Sequence, residues 1–410
     1  MKIVDTAIAS SAVPIANCEP PLKPNQPNHK INTPIVTNGI DEEHGVIDKG
    51  SFIDLFIKPR INLKDLKYFS ALFCWGNYDH KKLKNFFKVN KFYLTGSPRV
   101  DLWKKKFEPL WKFKKKDKKN VLIISNFSFS NNLYSLSEII KRKKKEGYYK
   151  RSPKLKNQEL NYYEYQKKLM FKFIDLIEFL SKKLVDRNII FRPHPTENLE
   201  FWREKLRGFK NVKIIEKGIL TPLINNADVI IQNGCTSSLE AFISKKKVID
   251  FNPIRNKRNK FGEFTKEFAI IAKTKNEVLR KIYSKNLTND KKKQKKVNNR
   301  MIYLDKILSS EKIVKIWQKL TLNYHDLSPN NHLKIRLKLF FYDFVNYYVS
   351  IVILIFKRKY YLKNIIFHKF SGVQDFEVKN FIKDLQKILK INKKIKVSRL
   401  GKELIKISSE

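Results

Sequence analysis

Cysteine is scarce in this chain of 410 residues, which contains only Cys18, Cys74 and Cys235. Three widely separated thiols offer neither a disulfide framework nor the spacing of metal ligands, as is typical of proteins in a reducing cytosol. The first residues also lack the apolar run of a signal peptide. The sequence therefore predicts a cytoplasmic protein.

Acidic residues are few as well: 39 Asp and Glu face 86 Lys and Arg, for a net charge of +47. Such a charge suits nucleic acid, an anionic membrane or phosphorylated substrates, and AT-rich codons would also enrich lysine. The lysine runs are scattered along the chain, as is usual for solvated faces. Because no zinc-finger, RNA-binding or basic-leucine pattern appears, we expect no specific nucleic-acid partner.

Two motifs of phosphate chemistry are missing. Without a GxxxxGK[ST] loop the chain is not expected to be a P-loop ATPase, and no close pair of aspartates offers a metal site. We therefore expect no metal and no cofactor. Any group transfer would depend on a helix dipole and on Arg and His side chains that neutralise a leaving phosphate.

The order of the segments predicts the domains. Six prolines from Pro14 to Pro34 predict a disordered leader over 1–37, followed by short apolar segments over 38–115. Strand and helix patterns then alternate, and the strands are near-continuous apolar runs such as NVLIIS and DVIIQ, typical of a sheet covered on both faces. We predict an α/β fold, with a doubly wound parallel sheet over 116–325 and a helical C-terminal extension over 326–410.

Ligands of such sheets bind at the carboxyl ends of the strands, where three unusual segments stand. Arg192 and His194, in an Arg-Pro-His-Pro sequence after the strand NIIFR, suit a phosphate or a leaving group; a turn with a surface histidine is the plainer alternative. Asn126 follows NVLIIS in a polar loop, which could face the same crevice or be only a loop.

The third segment, residues 233–241, follows the strand DVIIQ. Thr236 or Ser237 is a natural N-cap for the next helix, whose unpaired amides and dipole would attract an anion. The hydroxyls of Thr236, Ser237 and Ser238 could donate to a pyrophosphate, and Glu240 could accept hydrogen bonds from a ribose. The alternative is a helix that is merely well capped.

Several segments together carry a family resemblance: Trp75-Gly76, residues 95–102 (TGSPRVDL), Ser125-Asn126-Phe127, residues 192–195 and residues 233–241. They are similar to those of the bacterial surface carbohydrate biosynthesis protein family. That family resembles two-lobed GT-B glycosyltransferases, CDP-glycerol glycerophosphotransferases and UDP-N-acetylglucosamine 2-epimerases. The resemblance runs from about Asp41 to Leu389, and it implies a GT-B-like architecture.

The resemblance also implies roles for residues. His194 and the hydroxyls at 236–238 would lie at the phosphates of a nucleotide donor and Glu240 at its ribose, with Arg99 and Asp101 in the crevice between the lobes. His194 and Asp101 are the candidate catalytic residues. Only the Pro-rich leader stands where the family's first lobe opens with βαβ units, so we expect residues 38–115 to be a truncated acceptor lobe.

The function implied is that of a GT-B glycosyltransferase in the synthesis of surface polysaccharide, lipopolysaccharide or capsule. Its partners would be a nucleotide-sugar donor and a glycan or lipid-linked acceptor. Two alternatives stay open: a UDP-amino-sugar 2-epimerase-like enzyme, and a non-catalytic basic protein that binds membranes or nucleic acid.

Residues 339–356, LFFYDFVNYYVSIVILIF, are aromatic and apolar, with basic residues on both sides. A spanning helix needs about 20 mostly apolar residues, and Asp343 and Asn346 interrupt this run. An interfacial helix on the inner leaflet of the membrane fits better, and a helix packed on the lobes or a span are the alternatives.

Overall fold

The computed structural model describes residues 6–9, 57–58, 70–111, 119–216, 218–254, 265, 267, 269–284, 291–321, 337, 340–341, 344–345, 348, 374–399 and 404–409. The chain divides into a larger unit, Ile35–Val314, and a smaller one made of Met1–Pro34 and Lys315–Glu410.

In chain order the strands are β1 (Thr6–Ala9), β2 (Leu72–Cys74), β3 (Phe92–Leu94), β4 (Lys119–Ile124), β5 (Arg187–Arg192), β6 (Val212–Ile214), β7 (Val229–Gln232), β8 (Lys247–Phe251), β9 (Ile270–Ala272), β10 (Ile395–Arg399) and β11 (Leu404–Ser409). The helices are α1 (Asn77–Phe87), α2 (Pro98–Asp101), a 3-10 helix (Lys105–Trp111), α3 (Leu136–Lys145), α4 (Tyr148–Arg151), α5 (Pro153–Lys183), α6 (Leu199–Leu206), α7 (Leu220–Asn226), α8 (Ser237–Ile243), α9 (Lys275–Tyr283), α10 (Lys291–Arg300), α11 (Ser309–Thr321) and α12 (Asp375–Leu389).

A sheet of six strands, in the order β6-β5-β4-β7-β8-β9, forms the centre of the larger unit. Every neighbouring pair is parallel. From β4 the chain adds β5 and β6 on one side, then returns to place β7, β8 and β9 on the other side. The direction of winding therefore changes between β4 and β7, and the prediction of a doubly wound parallel sheet is confirmed.

Both faces of this sheet are covered, which explains the continuous apolar runs of its strands. Alternate residues of a strand point to opposite faces. Val121 and Ile123 belong to one core cluster, which includes the apolar side of the long helix α5, whereas Leu122 and Ile124 belong to a second cluster with α7 and α8. All four side chains are at most 3% exposed, so the strands are held by apolar burial on both sides.

A smaller parallel pair, β2 and β3, is connected by α1 and forms one βαβ unit of the predicted first lobe. Asp79 fixes the start of α1, because its two carboxylate oxygens accept hydrogen bonds from the amides of Trp75 and Gly76, both at 2.8 Å. Residues 38–56, 59–69 and 112–115 of the predicted truncated lobe lie outside the described residues.

The Trp75-Gly76 and 95–102 segments pack against the chain that follows α10. The amide of Ile302 donates to the carbonyl of Trp75 at 2.9 Å. Gly96 has φ +75°, and a Cβ there would lie only 3.0 Å from the carbonyl oxygen of Ile302. The motif therefore needs glycine at position 96, because the backbone turns with a positive φ there and the segment at Ile302 leaves no room for a side chain.

The smaller unit contains an antiparallel sheet in the order β1-β11-β10 and the helix α12, which is tied to β10 by an ion pair of Asp375 with Arg399 at 2.6 Å. Two predictions need correction here. Residues 6–9 of the predicted disordered leader form a strand, because they precede the prolines and can pair with β11. The predicted helical extension is only partly helical, since β10 and β11 alternate apolar and polar residues.

Within the described part of the chain, no helix has the length and apolar character needed to cross a membrane.

Candidate functional site

Three of the segments singled out in the sequence meet at the carboxyl edge of the large sheet. Ile124, the last residue of β4, pairs with Arg192 of β5 on one side and with Gln232 of β7 on the other. The loops that contain His194 and Thr236 therefore flank the loop that contains Asn126. Adjacent strands are about 4.8 Å apart, so the two outer strand ends lie roughly 10 Å from each other.

This edge includes the point between β4 and β7 where the direction of winding changes. Asn126 links the loop after β4 to the loop after β7. Its side-chain Nδ2 donates to the carbonyl of Gly234 at 3.3 Å, and its backbone carbonyl accepts from Nδ2 of Asn233 at 3.3 Å. Gln166 of α5 supports the same loop, because its Nε2 donates to the Asn126 carbonyl at 2.5 Å. Open α/β sheets bind their ligands at such a switch point.

The loop after β7 is shaped by a buried amide. Oε1 of Gln232 accepts hydrogen bonds from the backbone amides of Gly234 and Cys235, at 2.5 and 2.7 Å, and Gly234 has φ +89°. Nε2 of Gln232 and Oδ1 of Asn233 are buried and have no hydrogen-bond partner in the structure as described. Buried polar atoms of this kind call for a ligand or water.

Helix α8 begins differently from the prediction. Thr236 occupies the N-cap position, but its backbone is helical (φ −59°, ψ −24°) and its side chain makes no capping hydrogen bond. The hydroxyl of Ser238 instead donates to the carbonyl of Cys235 at 2.5 Å. Ser237, Ser238 and Glu240 are buried, and Thr236 is half-buried. Thr236 is therefore the most accessible of the predicted hydroxyl donors.

His194 is half-buried in the loop after β5. Its Nδ1 lies 2.8 Å from Oγ1 of Thr196 and accepts from the amide of Thr196 at 3.3 Å. An amide can only donate, so Nδ1 is an acceptor and a neutral imidazole carries its proton on Nε2. The ring is thereby set in one tautomer by its own loop.

Glu197 joins the loops after β4 and β5, and the sequence analysis missed it. Its side chain is fully buried and accepts from the Phe127 amide (2.7 Å), the Ser125 hydroxyl (2.7 Å) and the Trp202 indole (2.6 Å). Burial raises the pKa of Glu197 to about 7, although these donors oppose the rise. Only its place three residues after His194 could have indicated this role.

Arg192 does not point into an open crevice. Its guanidinium is buried and donates to the carbonyls of Ile215, at 3.0 Å, and Gly218, at 2.8 Å. It thus ties the end of β5 to the segment after β6. A guanidinium that already serves two carbonyls has fewer donors left for a phosphate.

Asp101 is buried beneath the start of helix α11. One oxygen accepts from Nζ of Lys104 at 2.6 Å and from the amide of Ser309 at 2.9 Å. The other accepts from the amide and the hydroxyl of Ser310, both at 2.8 Å. Both oxygens of this predicted catalytic carboxylate therefore hold the fold together.

Arg99, two residues earlier, is exposed. Burial raises the pKa of the Cys235 thiol, and the positive charge of Arg99 opposes that rise. The guanidinium therefore acts on the loop after β7. The guanidinium carbon of Arg99 also lies over the ring of Trp103, 5.7 Å from the ring centroid.

Among the described residues, no cluster of His, Cys, Asp and Glu is arranged to hold a metal ion.

No family model and no curated protein matches this chain. Among solved structures, a variant of the wall teichoic acid polymerase TagF soaked with CDPG is 16% identical, with a TM-score of 0.39, and the match covers 62% of this chain and 57% of that one. UDP-GlcNAc 2-epimerase from Methanocaldococcus jannaschii, in complex with UDP-GlcNAc and UDP, is 19% identical, with a TM-score of 0.38 and 62% of each chain covered.

The S. aureus MnaA–UDP co-structure is 14% identical, with a TM-score of 0.37, over 64% of this chain and 62% of that one. The match thus spans less than two thirds of each of these three structures. The Methanocaldococcus jannaschii enzyme is of a kind that the sequence resemblance names.

Proposed function

We propose that the chain binds a nucleotide-sugar donor at the switch point between β4 and β7 and transfers the sugar, or a related group, to a surface glycan or a lipid-linked acceptor. One observation carries the proposal. The polar loops after β4, β5 and β7 meet at this edge, where Nε2 of Gln232 and Oδ1 of Asn233 are buried without a protein partner. A diphosphate and its nucleoside supply the acceptors and donors that such groups require.

His194 is the proposed catalytic residue. In the transfer, the bond between the anomeric carbon and the terminal phosphate oxygen breaks. The oxygen of an acceptor hydroxyl forms the new bond to that carbon, and the proton of this hydroxyl passes to the departing diphosphate. Negative charge then develops on the departing diphosphate. Because Thr196 holds Nδ1, the imidazole can present Nε2–H to this charge, and the guanidinium of Arg99 adds a positive charge. No metal takes part in this scheme.

The loop after β7 would hold the donor. Thr236, which is half-buried, would donate its hydroxyl to a phosphate, and the buried Ser237 and Ser238 would shape the turn. Glu240, one turn further along α8, is our candidate for the ribose hydroxyls. We assign positioning roles to Asn126, Arg192 and Asp101, whose polar atoms already bind other segments of the fold.

A nucleotide screen tests the donor site. UDP, CDP, GDP and CMP are compared in thermal unfolding, because a ligand that binds only the folded state raises its stability by about 2.7 kcal/mol at 100 times its dissociation constant. We expect at least one nucleoside diphosphate to stabilise the parent and to stabilise Thr236→Ala less. Thr221→Ala, at a threonine of α7, is the control. If no nucleotide shifts the transition of the parent, the proposal fails.

The nucleotide so identified then separates transfer from epimerisation. The corresponding nucleotide-sugars are incubated with the protein, with and without a glycan acceptor. Transfer requires the acceptor and releases nucleotide. An epimerised sugar that appears without any acceptor would replace the transferase proposal by the epimerase alternative.

A further inference from the structure

The smaller unit exposes a stripe of apolar side chains on a helical segment. The aromatic stripe consists of residues that are helical and between 45 and 69% exposed: Leu337, Phe340, Phe341, Phe344, Val345 and Tyr348. At 100° per residue these six positions fall within an arc of about 140°. Successive rings also lie against each other, with centroids 6.4 Å apart for Phe340 and Phe344 and 4.5 Å apart for Phe344 and Tyr348.

A continuous stripe differs from scattered surface hydrophobics, which are normal in soluble proteins. Contiguous apolar patches mark surfaces that bind a protein, a membrane or a ligand. The stripe therefore has the form of a docking surface.

Charge decides between the possible occupants. Residues 334–369 contain eight Lys or Arg and one Asp. A second copy of this chain would bring the same excess of basic residues to the interface, and like charges oppose such a contact. Anionic lipid headgroups attract this charge, and aromatic rings suit the boundary between headgroups and acyl chains.

We propose that the aromatic stripe docks on an anionic phospholipid surface, with the segment lying along the membrane interface. Phe340, Phe341 and Phe344 enter the boundary with the acyl chains, and the flanking lysines and arginines bind the headgroups.

Vesicle flotation of the full chain tests the proposal. Phosphatidylcholine vesicles with and without phosphatidylglycerol are compared for the parent, for Phe340→Ser/Phe341→Ser/Phe344→Ser, and for the control Phe376→Ser, a phenylalanine on α12 that is 64% exposed. We expect the parent to bind the anionic vesicles and the triple variant to bind at least about tenfold more weakly. The control should bind like the parent, and added salt should weaken the parent's binding.

Equal binding by the triple variant and the parent would overturn the proposal, as would a parent that does not float with anionic vesicles. Sedimentation equilibrium without lipid provides the third outcome: a parent dimer that the triple substitution converts to a monomer would assign the stripe to a second copy. The substituted side chains are exposed, and circular dichroism confirms that the variants fold. The vesicle experiment uses no nucleotide, so a negative result would count against membrane docking alone and not against the proposed donor site.

Discussion

The carboxylate of Asp101 accepts a hydrogen bond from the amide of Ser309 at 2.9 Å, across 208 residues of sequence. The same oxygen receives Nζ of the buried Lys104 at 2.6 Å, and Lys104 also donates to the carbonyl of Ile307 at 2.5 Å. The TGSPRVDL block thus holds the beginning of helix α11. A motif aspartate that resembles a catalytic group in sequence is a structural anchor by its contacts.

Asp101→Asn should therefore destabilise the fold. It leaves Lys104 buried without its counter-charge, and breaking one side of a buried ion pair costs about 3–5 kcal/mol. The free energy of unfolding, measured in urea, should fall by an amount of this order, and Asp175→Asn, at an exposed aspartate of α5, should change it little. A variant with parental stability and abolished transfer would instead restore Asp101 to a catalytic role.

Glu197 should make stability depend on pH. Burial raises its pKa to about 7 in the folded chain, whereas an unfolded glutamate titrates near 4.3. The folded state therefore holds the proton more tightly, and this contribution to stability is complete below about pH 4 and lost as the pH rises through about 7. Asp79, whose pKa burial raises to about 6, acts in the same direction.

The measurement is urea unfolding from pH 4 to pH 8 for the parent, for Glu197→Gln, and for Glu164→Gln at an exposed position of α5. The side-chain amide of the Glu197→Gln variant has only one accepting atom, so it cannot accept from Phe127 as well as from Ser125 and Trp202. At least one buried donor then loses its acceptor, and this variant should lose about 1–3 kcal/mol. Its stability should also fall less between pH 4 and pH 7 than that of the parent. Parallel curves for all three proteins would contradict the assignment.

His194 should control turnover rather than folding. His194→Ala removes the proposed hydrogen-bond donor to the departing diphosphate and should lower the transfer rate by about 100-fold or more, with an unchanged unfolding midpoint. Thr196→Val removes only the hydroxyl beside Nδ1 and should lower kcat by about tenfold with little change in KM. His80→Ala, at a histidine that contacts the Phe92 carbonyl, is the control. Parental kcat in His194→Ala would exclude the imidazole from the reaction.

Any side chain at position 76 should destabilise the fold. A Cβ there would meet the backbone of Arg300 and would lie 2.7 Å from the carbonyl oxygen of Asn299. Gly76→Ala should therefore cost about 1–3 kcal/mol of stability through overpacking. Gly208→Ala is the matched control, because nothing lies within 4 Å of the added carbon. If Gly76→Ala had the same thermal midpoint as the parent, the backbone at Asn299 and Arg300 would have to move aside for the added methyl group at little cost.

The large sheet could be predicted from sequence because its strands are buried on both faces. Runs such as Val121–Ile124 are apolar at every position, and the helices between them repeat at 3.6 residues. Parallel order then places the loops of Asn126, His194 and Thr236 at one edge. The apolar pattern of the strands and their parallel order are therefore enough to predict that these three loops lie together.

The partners of the site residues could not be predicted in the same way. Gln166 stands on a 31-residue helix, and nothing local distinguishes it from the polar residues of a solvated face. Glu197 bonds to residues about 70 positions away. Arg192 was expected at a phosphate, but its contacts with Ile215 and Gly218 depend on how the β6 segment returns. Such assignments require the tertiary fold.

Strand β1 has a consequence for how the protein is made. Thr6–Ala9 pairs with Leu404–Ile407, which the ribosome adds almost four hundred residues later. At ordinary rates of synthesis these strands are separated by about 20–80 s. The larger unit can form its sheet in that interval, whereas β1 waits for β11, so the smaller unit closes later and at a slower pace.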